Sequence, residues 1–291
     1  MKMMFGFTNI YFLGNEHFEQ QNWNKISFDL GGYENELVCN IHKSALAGLR
    51  GSNRTTCMLY CIGSGINEAK LHARSIARLL SFALDSHCYV SSFRTDDINV
   101  PAISQPTRGY AIQRNPVIDE NDGKALKSFL TQTYEKYRQL CEVRSLDVVI
   151  ELLNLADNKQ PMELKLATVF ILLENLKATY ANEKGYIREK ASYYKTEEDR
   201  RSGKRRLGFQ KVLDNMFKDV GMTRNGNTLK DIVDLRNDII HTAMSELSFE
   251  TQWKRYVSCR NLIAEYLLRL LSYRGKFSLY DGSGITTKLI E

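Results

Sequence analysis

The hydrophobic spacing of this 291-residue chain changes once, and the change divides it in two. Up to about residue 115, apolar residues come in short runs broken by Gly, Asn and Ser turn signals. From residue 124 onward they recur at intervals of three and four almost to the end. A strand returns a side chain to the same face every 2 residues and a helix every 3.6, so the two halves cannot share one architecture. The polar stretch 114–123, with Asn115-Pro116 and Asp119-Glu120-Asn121-Asp122-Gly123, marks the break. The chain therefore reads as α+β: a mixed strand/helix domain over 1–118, then an all-α bundle with a C-terminal tail over 119–291.

In the first domain, strands are expected at 9–13, 25–30, 36–41, 56–62, 88–93 and 109–112, with a helix over 67–85. The run Thr56-Cys57-Met58-Leu59-Tyr60-Cys61-Ile62 is apolar on both faces, which is the pattern of a buried strand. In the second, helices are expected at 124–141, 145–155, 163–182, 186–199, 208–220, 228–244 and 249–273. Thr228 is placed as an N-cap, with Asp231 three residues on. Only four prolines interrupt the chain, which suits extended helical hydrogen-bond ladders.

An apolar fraction of 43% and a charged fraction of 25% exclude a disordered chain. The net charge of +6 permits phosphate contacts without demanding them. Thr8, Asn9 and Glu16 arrive too early for a secretory leader, and no run of 18 apolar residues exists, so a cytoplasmic protein without a membrane segment is expected. The six cysteines have no framework spacing and are expected as reduced, packed thiols. Cys57 and Cys61 share one side of a strand but lack a second close pair, so neither zinc nor a cofactor is expected. Gly63-Ser64-Gly65 reads as a tight turn, because it lacks the Lys-Ser/Thr of a phosphate loop. His17, His42 and His72 have no motif around them.

The hexapeptide Arg236-Asn237-Asp238-Ile239-Ile240-His241 is different. Ile232, Val233, Ile239, Ile240 and Ala243 fall at −4, −3, +3, +4 and +7 from Arg236, which puts a guanidinium in the middle of an apolar stripe. An unpaired charge there costs several kcal/mol, on the order expected for any desolvated ion. Arg236 must therefore meet a carboxylate, a ligand or another subunit. Glu174, between Leu173 and Leu176, is the acid best placed to support it. His241 lies about 140° further round the helix, four residues after Asn237. In the simplest reading Arg236 pairs with Glu174 and His241 merely finishes the helix.

The Arg-Asn-x-x-x-His pattern, late in a helical domain, resembles the HEPN superfamily of nucleases and nucleotide-binding proteins. The stretch 164–177 is similar to an early helix of that family, with its embedded acid. The stretch 255–277 is similar to the terminal helix and tail of the ApeA-like group. The resemblance covers 124–281. It implies metal-independent cleavage of RNA, with the ribose 2′-hydroxyl attacking the adjacent phosphate. Arg236, Asn237 and His241 would be the catalytic residues, set at a homodimer interface. It further implies a toxin or phage-defence role, with an antitoxin or a phage-derived trigger as partner. The chemistry suits the residues: histidine moves protons near neutrality, and arginine stabilises a developing negative charge.

Basic residues cluster in 186–211. Arg200, Arg201, Lys204, Arg205 and Arg206 are interleaved with Tyr186, Tyr193, Tyr194 and Phe209, a composition that suits RNA phosphates and stacked bases. The first domain is expected to sense a trigger, fix the substrate or bind a regulator. Two other readings remain: a non-catalytic HEPN module that binds nucleotide or RNA or joins subunits in a larger complex, and a regulatory protein whose first domain binds a small ligand.

Overall fold

The first strand buries its aromatic residues. In β1 (Lys2–Thr8), Met3, Phe5 and Phe7 are fully buried, and Lys2 and Met4 are not. This strand lies inside a seven-stranded antiparallel sheet of order β2-β3-β4-β5-β1-β6-β7. The others are β2 (Glu16–Phe18), β3 (Trp23–Leu30), β4 (Tyr33–Cys39), β5 (Thr55–Ile62), β6 (Val90–Arg94) and β7 (Asn99–Pro101). In this computed structural model the described residues are 1–13, 16–18, 23–39, 55–95, 99–101, 115–157, 161–190, 192–203, 205–222, 226–242, 247–281 and 284–291. The strand expected at 9–13 lies instead at Lys2–Thr8, and Asn9 leaves it in a left-handed conformation with φ 59°. The strand expected at 109–112 falls outside the described residues.

β3 and β4 are joined by Gly31-Gly32, both at positive φ (60° and 77°), as a two-residue hairpin turn requires. Helix α1 (Ile66–Ala83) contributes Ala69, Ala73, Ile76, Leu79 and Leu80 to the core. One polar network lies within that core. His72 donates Nε2–H to Asn35 Oδ1 (2.8 Å) and faces the Tyr134 hydroxyl with Nδ1 (2.6 Å). The Asn35 amide donates to Tyr33 O (2.7 Å), so Oδ1 is its accepting end. Tyr134 comes from α2 (Gly123–Leu140).

The helices that follow are α3 (Leu146–Asp157), α4 (Met162–Glu183), α5 (Glu197–Ser202), α6 (Phe209–Asp219), α7 (Gly226–Thr242) and α8 (Phe249–Leu270). Helix α4 is the hub, packed against α3, α6, α7 and α8. Its apolar residues run nearly all round, so Leu166, Val169, Phe170, Leu172, Leu173 and Leu176 are fully buried. Arg144 is sealed beside it. Its guanidinium donates to Glu183 (2.9 Å) and to the Tyr266 hydroxyl (2.6 Å).

One helical expectation is corrected. Residues 186–199 are not a helix but a hairpin of β8 (Ile187–Glu189) and β9 (Ser192–Tyr194) ahead of the short α5. Gly185 (φ 67°) ends α4, and Leu207 exchanges two backbone hydrogen bonds with Tyr193 (3.0 and 2.8 Å). The adjacent Tyr193 and Tyr194 are both buried, which a strand with partners on each side allows. In the tail that follows α8, β10 (Gly275–Tyr280) and β11 (Ile285–Ile290) form a two-stranded sheet.

The chain thus has an α+β fold. Its two compact units are Met1–Arg138 with Leu271–Leu279 and Ile285–Glu291, and Gln139–Leu270 with Tyr280–Gly284. This division differs from a break at 118/119. Helix α2 supplies Phe129 and Tyr134 to the sheet's core, and the tail returns to that unit, where Tyr273 packs on Phe129.

Candidate functional site

Arg236 lies mid-way along α7 with Ile232, Leu235 and Ile239 buried around it. Its side chain is not sealed in: 24% of it remains exposed. The guanidinium meets an acid from the hub helix. Nη2 donates to Glu174 Oε1 across 2.6 Å, and Nη1 donates to Asn237 Oδ1 across 2.9 Å. Glu174 is 34% exposed, so it is not the buried acid that its leucine neighbours imply. It stands beside the outward strip of α4, where Leu164 and Ile171 are also exposed.

A third charged group, which spacing alone does not single out, completes the cluster. Lys177, one helical turn after Glu174, donates to Glu174 Oε2 and is only 9% exposed. Its ammonium lies 4.8 Å from the Phe209 ring centre and 5.6 Å from that of Tyr193. Phe209 also receives the Arg236 guanidinium, at 5.3 Å. One carboxylate and one aromatic ring therefore serve two cations. The only sequence signal for Lys177 is its i,i+3 spacing from Glu174.

Asn237 is exposed beside Arg236. The backbone of His241 continues α7 four residues after Asn237, and its side chain falls outside the described residues. The structure thus brings together Arg236, Asn237 and Glu174 and keeps His241 on the same helix.

Of the basic group, Lys204 falls outside the described residues. Arg201 and Arg205 are 78% and 84% exposed. Arg200 donates to Glu197, Arg201 lies 3.5 Å from the same carboxylate, and Arg205 lies 3.7 Å from Asp199. The Arg206 Nε–H is given to Ser192 Oγ. Thr196 caps α5 by accepting from Asp199 N (3.1 Å). Of the four interleaved rings expected to stack on bases, Tyr193 and Tyr194 are core, and Tyr186 and Phe209 are half-buried. The charge asymmetry persists: residues 186–211 hold nine lysines and arginines against four carboxylates, which is nearly all of the net +6.

Cys57, Cys61, Cys88 and Cys259 are buried free thiols. Burial pushes Cys61, Cys88 and Cys259 up to about 12, and Cys57 is raised too. No group of three or more His, Cys, Asp or Glu side chains able to hold a metal occurs among the described residues. The Gly63-Ser64-Gly65 turn is filled by Tyr33, whose hydroxyl donates to Ser64 O (3.0 Å). Among the described residues, no helix is long and apolar enough to cross a membrane.

Compared with protein-family models, with curated proteins and with solved structures, the chain matches none.

Proposed function

We propose that α7 carries the active site of a HEPN-type endoribonuclease that cleaves RNA without a metal. One observation carries this reading: Arg236, on an otherwise apolar face, is fixed by Glu174 and Asn237 yet stays partly open to solvent. A purely structural arginine is better satisfied when its donors are fully matched, as those of Arg144 nearly are.

In the reaction, the ribose 2′-oxygen bonds to the adjacent phosphorus and the bond to the 5′-oxygen breaks, leaving a cyclic phosphate. Arg236 stabilises the added negative charge on the phosphoryl oxygens. His241 carries the proton taken from the 2′-hydroxyl or given to the leaving 5′-oxygen. Asn237 orients one of these groups. The exposed basic residues Arg201 and Arg205 hold flanking phosphates.

The catalytic unit is a homodimer acting in the cytoplasm, as a toxin or in phage defence. The sheet-bearing unit takes an antitoxin or a phage-derived trigger. Exposed Leu164 and Ile171, seven residues apart on α4 beside Glu174, supply the apolar strip for the second copy.

Incubating the purified protein with total RNA in chelator tests the proposal. Wild type is expected to cleave, and Arg236→Ala and His241→Ala each to abolish cleavage. Intact RNA at high wild-type concentration refutes it and leaves the non-catalytic module, in which Arg236→Ala weakens only dimerisation.

A further inference from the structure

The unusual atom at this site is Arg236 Nε. It is buried and has no hydrogen-bond acceptor among the described residues. Buried donors without acceptors are rare and call for a reason. A carboxylate that accepts from Nη2 ordinarily accepts from the neighbouring Nε–H with its second oxygen, closing a two-bond fork. Glu174 Oε1 is already on Nη2 at 2.6 Å. Its Oε2 is turned away, onto Lys177.

We infer that Lys177 is a positioning residue for Arg236: it holds Glu174 Oε2 so that the carboxylate cannot close the fork on the guanidinium. The inference rests on the reading of Arg236 as a phosphate-binding group. Lys177 is well fixed for the task. Its stem is buried, and its ammonium is lodged against Phe209 and Tyr193. Phe209 supports both cations, so the carboxylate between them is shared. A shared carboxylate leaves Arg236 with positive charge to offer a phosphate oxygen. A forked one would neutralise it within the chain.

Four variants test this: Lys177→Met, Lys177→Arg, Glu174→Gln and the Lys177→Met/Glu174→Gln double. The readouts are the Arg236 Nε–H signal in nitrogen-edited spectra and affinity for an RNA oligonucleotide made uncleavable by 2′-O-methylation. In Lys177→Met, Glu174 should close the fork. The Nε–H signal then shifts and exchanges more slowly, and RNA affinity falls about tenfold, the order of one charged hydrogen bond. The double variant should recover most of that affinity, and Lys177→Arg should keep the wild-type signal. An unchanged Nε–H signal in Lys177→Met overturns the inference, as does a double variant no better than the single. Should Lys177→Met fail to fold, Lys177→Gln takes its place, because it removes the charge and keeps a polar end. A shifted Nε–H signal with RNA affinity about tenfold lower supports the inference, and a wild-type signal overturns it. If wild type binds no RNA, or Arg236→Ala binds as well as wild type, the ribonuclease reading falls, while the Nε–H signal still judges Lys177.

Discussion

His72 gives its Nε2–H to Asn35 Oδ1 across 2.8 Å, and that bond fixes which ring nitrogen carries the proton. With the Asn35 amide donating to Tyr33 O, Oδ1 can only accept. In the neutral ring Nδ1 is therefore the acceptor for the Tyr134 hydroxyl. Burial first, and then the positive charge of Arg138, push the His72 pKa down from 6.5 to about 4. Below pH 6.5 the unfolded chain takes up a proton that the folded chain refuses. The contribution is thus complete above 6.5 and is lost as pH falls toward 4, to a total of about 3 kcal/mol. Urea midpoints at pH 7, 5.5 and 4 should fall more steeply for wild type than for His72→Gln. Parallel curves would remove His72 from the acid response.

Gly31 and Gly32 share a turn but differ in surroundings. A Cβ on Gly31 would lie 2.9 Å from the Tyr134 hydroxyl and 3.0 Å from His72 Nδ1, whereas Gly32 has nothing within 4 Å. Gly32→Ala should cost about 1 kcal/mol, the conformational cost alone. Gly31→Ala should cost clearly more, because it also pushes the His72 network apart. Equal losses in chemical denaturation would argue against the tight packing.

Asp157, at the end of α3, accepts from Arg260 Nε (2.6 Å) and from the Tyr256 hydroxyl, all within the core. Asp157→Ala is expected to lower stability by about 3–5 kcal/mol, since it strands a buried guanidinium. Replacing the pair, as Asp157→Ala/Arg260→Met, should recover a large part. A double variant as unstable as the single would mean the loss is one of packing and not of charge.

Arg201→Glu and Arg205→Glu should each weaken RNA binding at low salt while leaving thermal stability within about 0.5 kcal/mol of wild type. Each should also flatten the plot of log affinity against log salt, by about one unit for every phosphate that is no longer neutralised. An unchanged slope would place the RNA path elsewhere.

Ile171→Arg puts a charge on the exposed strip of α4 without disturbing its buried side. Sedimentation should show a dimer for wild type and a monomer for the variant, with RNA cleavage reduced at least about tenfold if two copies are needed. A dimer that survives the change would move the interface off α4.

Much of the second unit is legible residue by residue. Helices at 162–183, 209–219 and 226–242 lie within two residues of where periodicity puts them, because each buries one side or is wholly enclosed. Arg236 on its apolar stripe demanded a partner, and Glu174 is a partner it has. Lys177 was not legible, since its meaning depends on Phe209 and Tyr193, which arrive from elements 16 to 32 residues away. The misread helix at 186–199 failed for a related reason. Charged residues there mimic a solvated helix, while Tyr193 pairs with Leu207. Nor does local spacing say that β1 lies between β5 and β6 or that 275–280 pairs with 285–290, because strand pairing is not set by the period along one strand.

The Arg236 hexapeptide shows where the two sources of order divide. Sequence alone determined that a helix would carry a guanidinium on its apolar side, because 3.6-residue spacing is local and burying an unpaired charge is forbidden by its cost. Only the tertiary structure decided how that charge is held. Whether Glu174 grips Arg236 with one oxygen or two depends on a lysine pinned by two rings, and such a choice is set by packing in three dimensions, not by spacing along the chain.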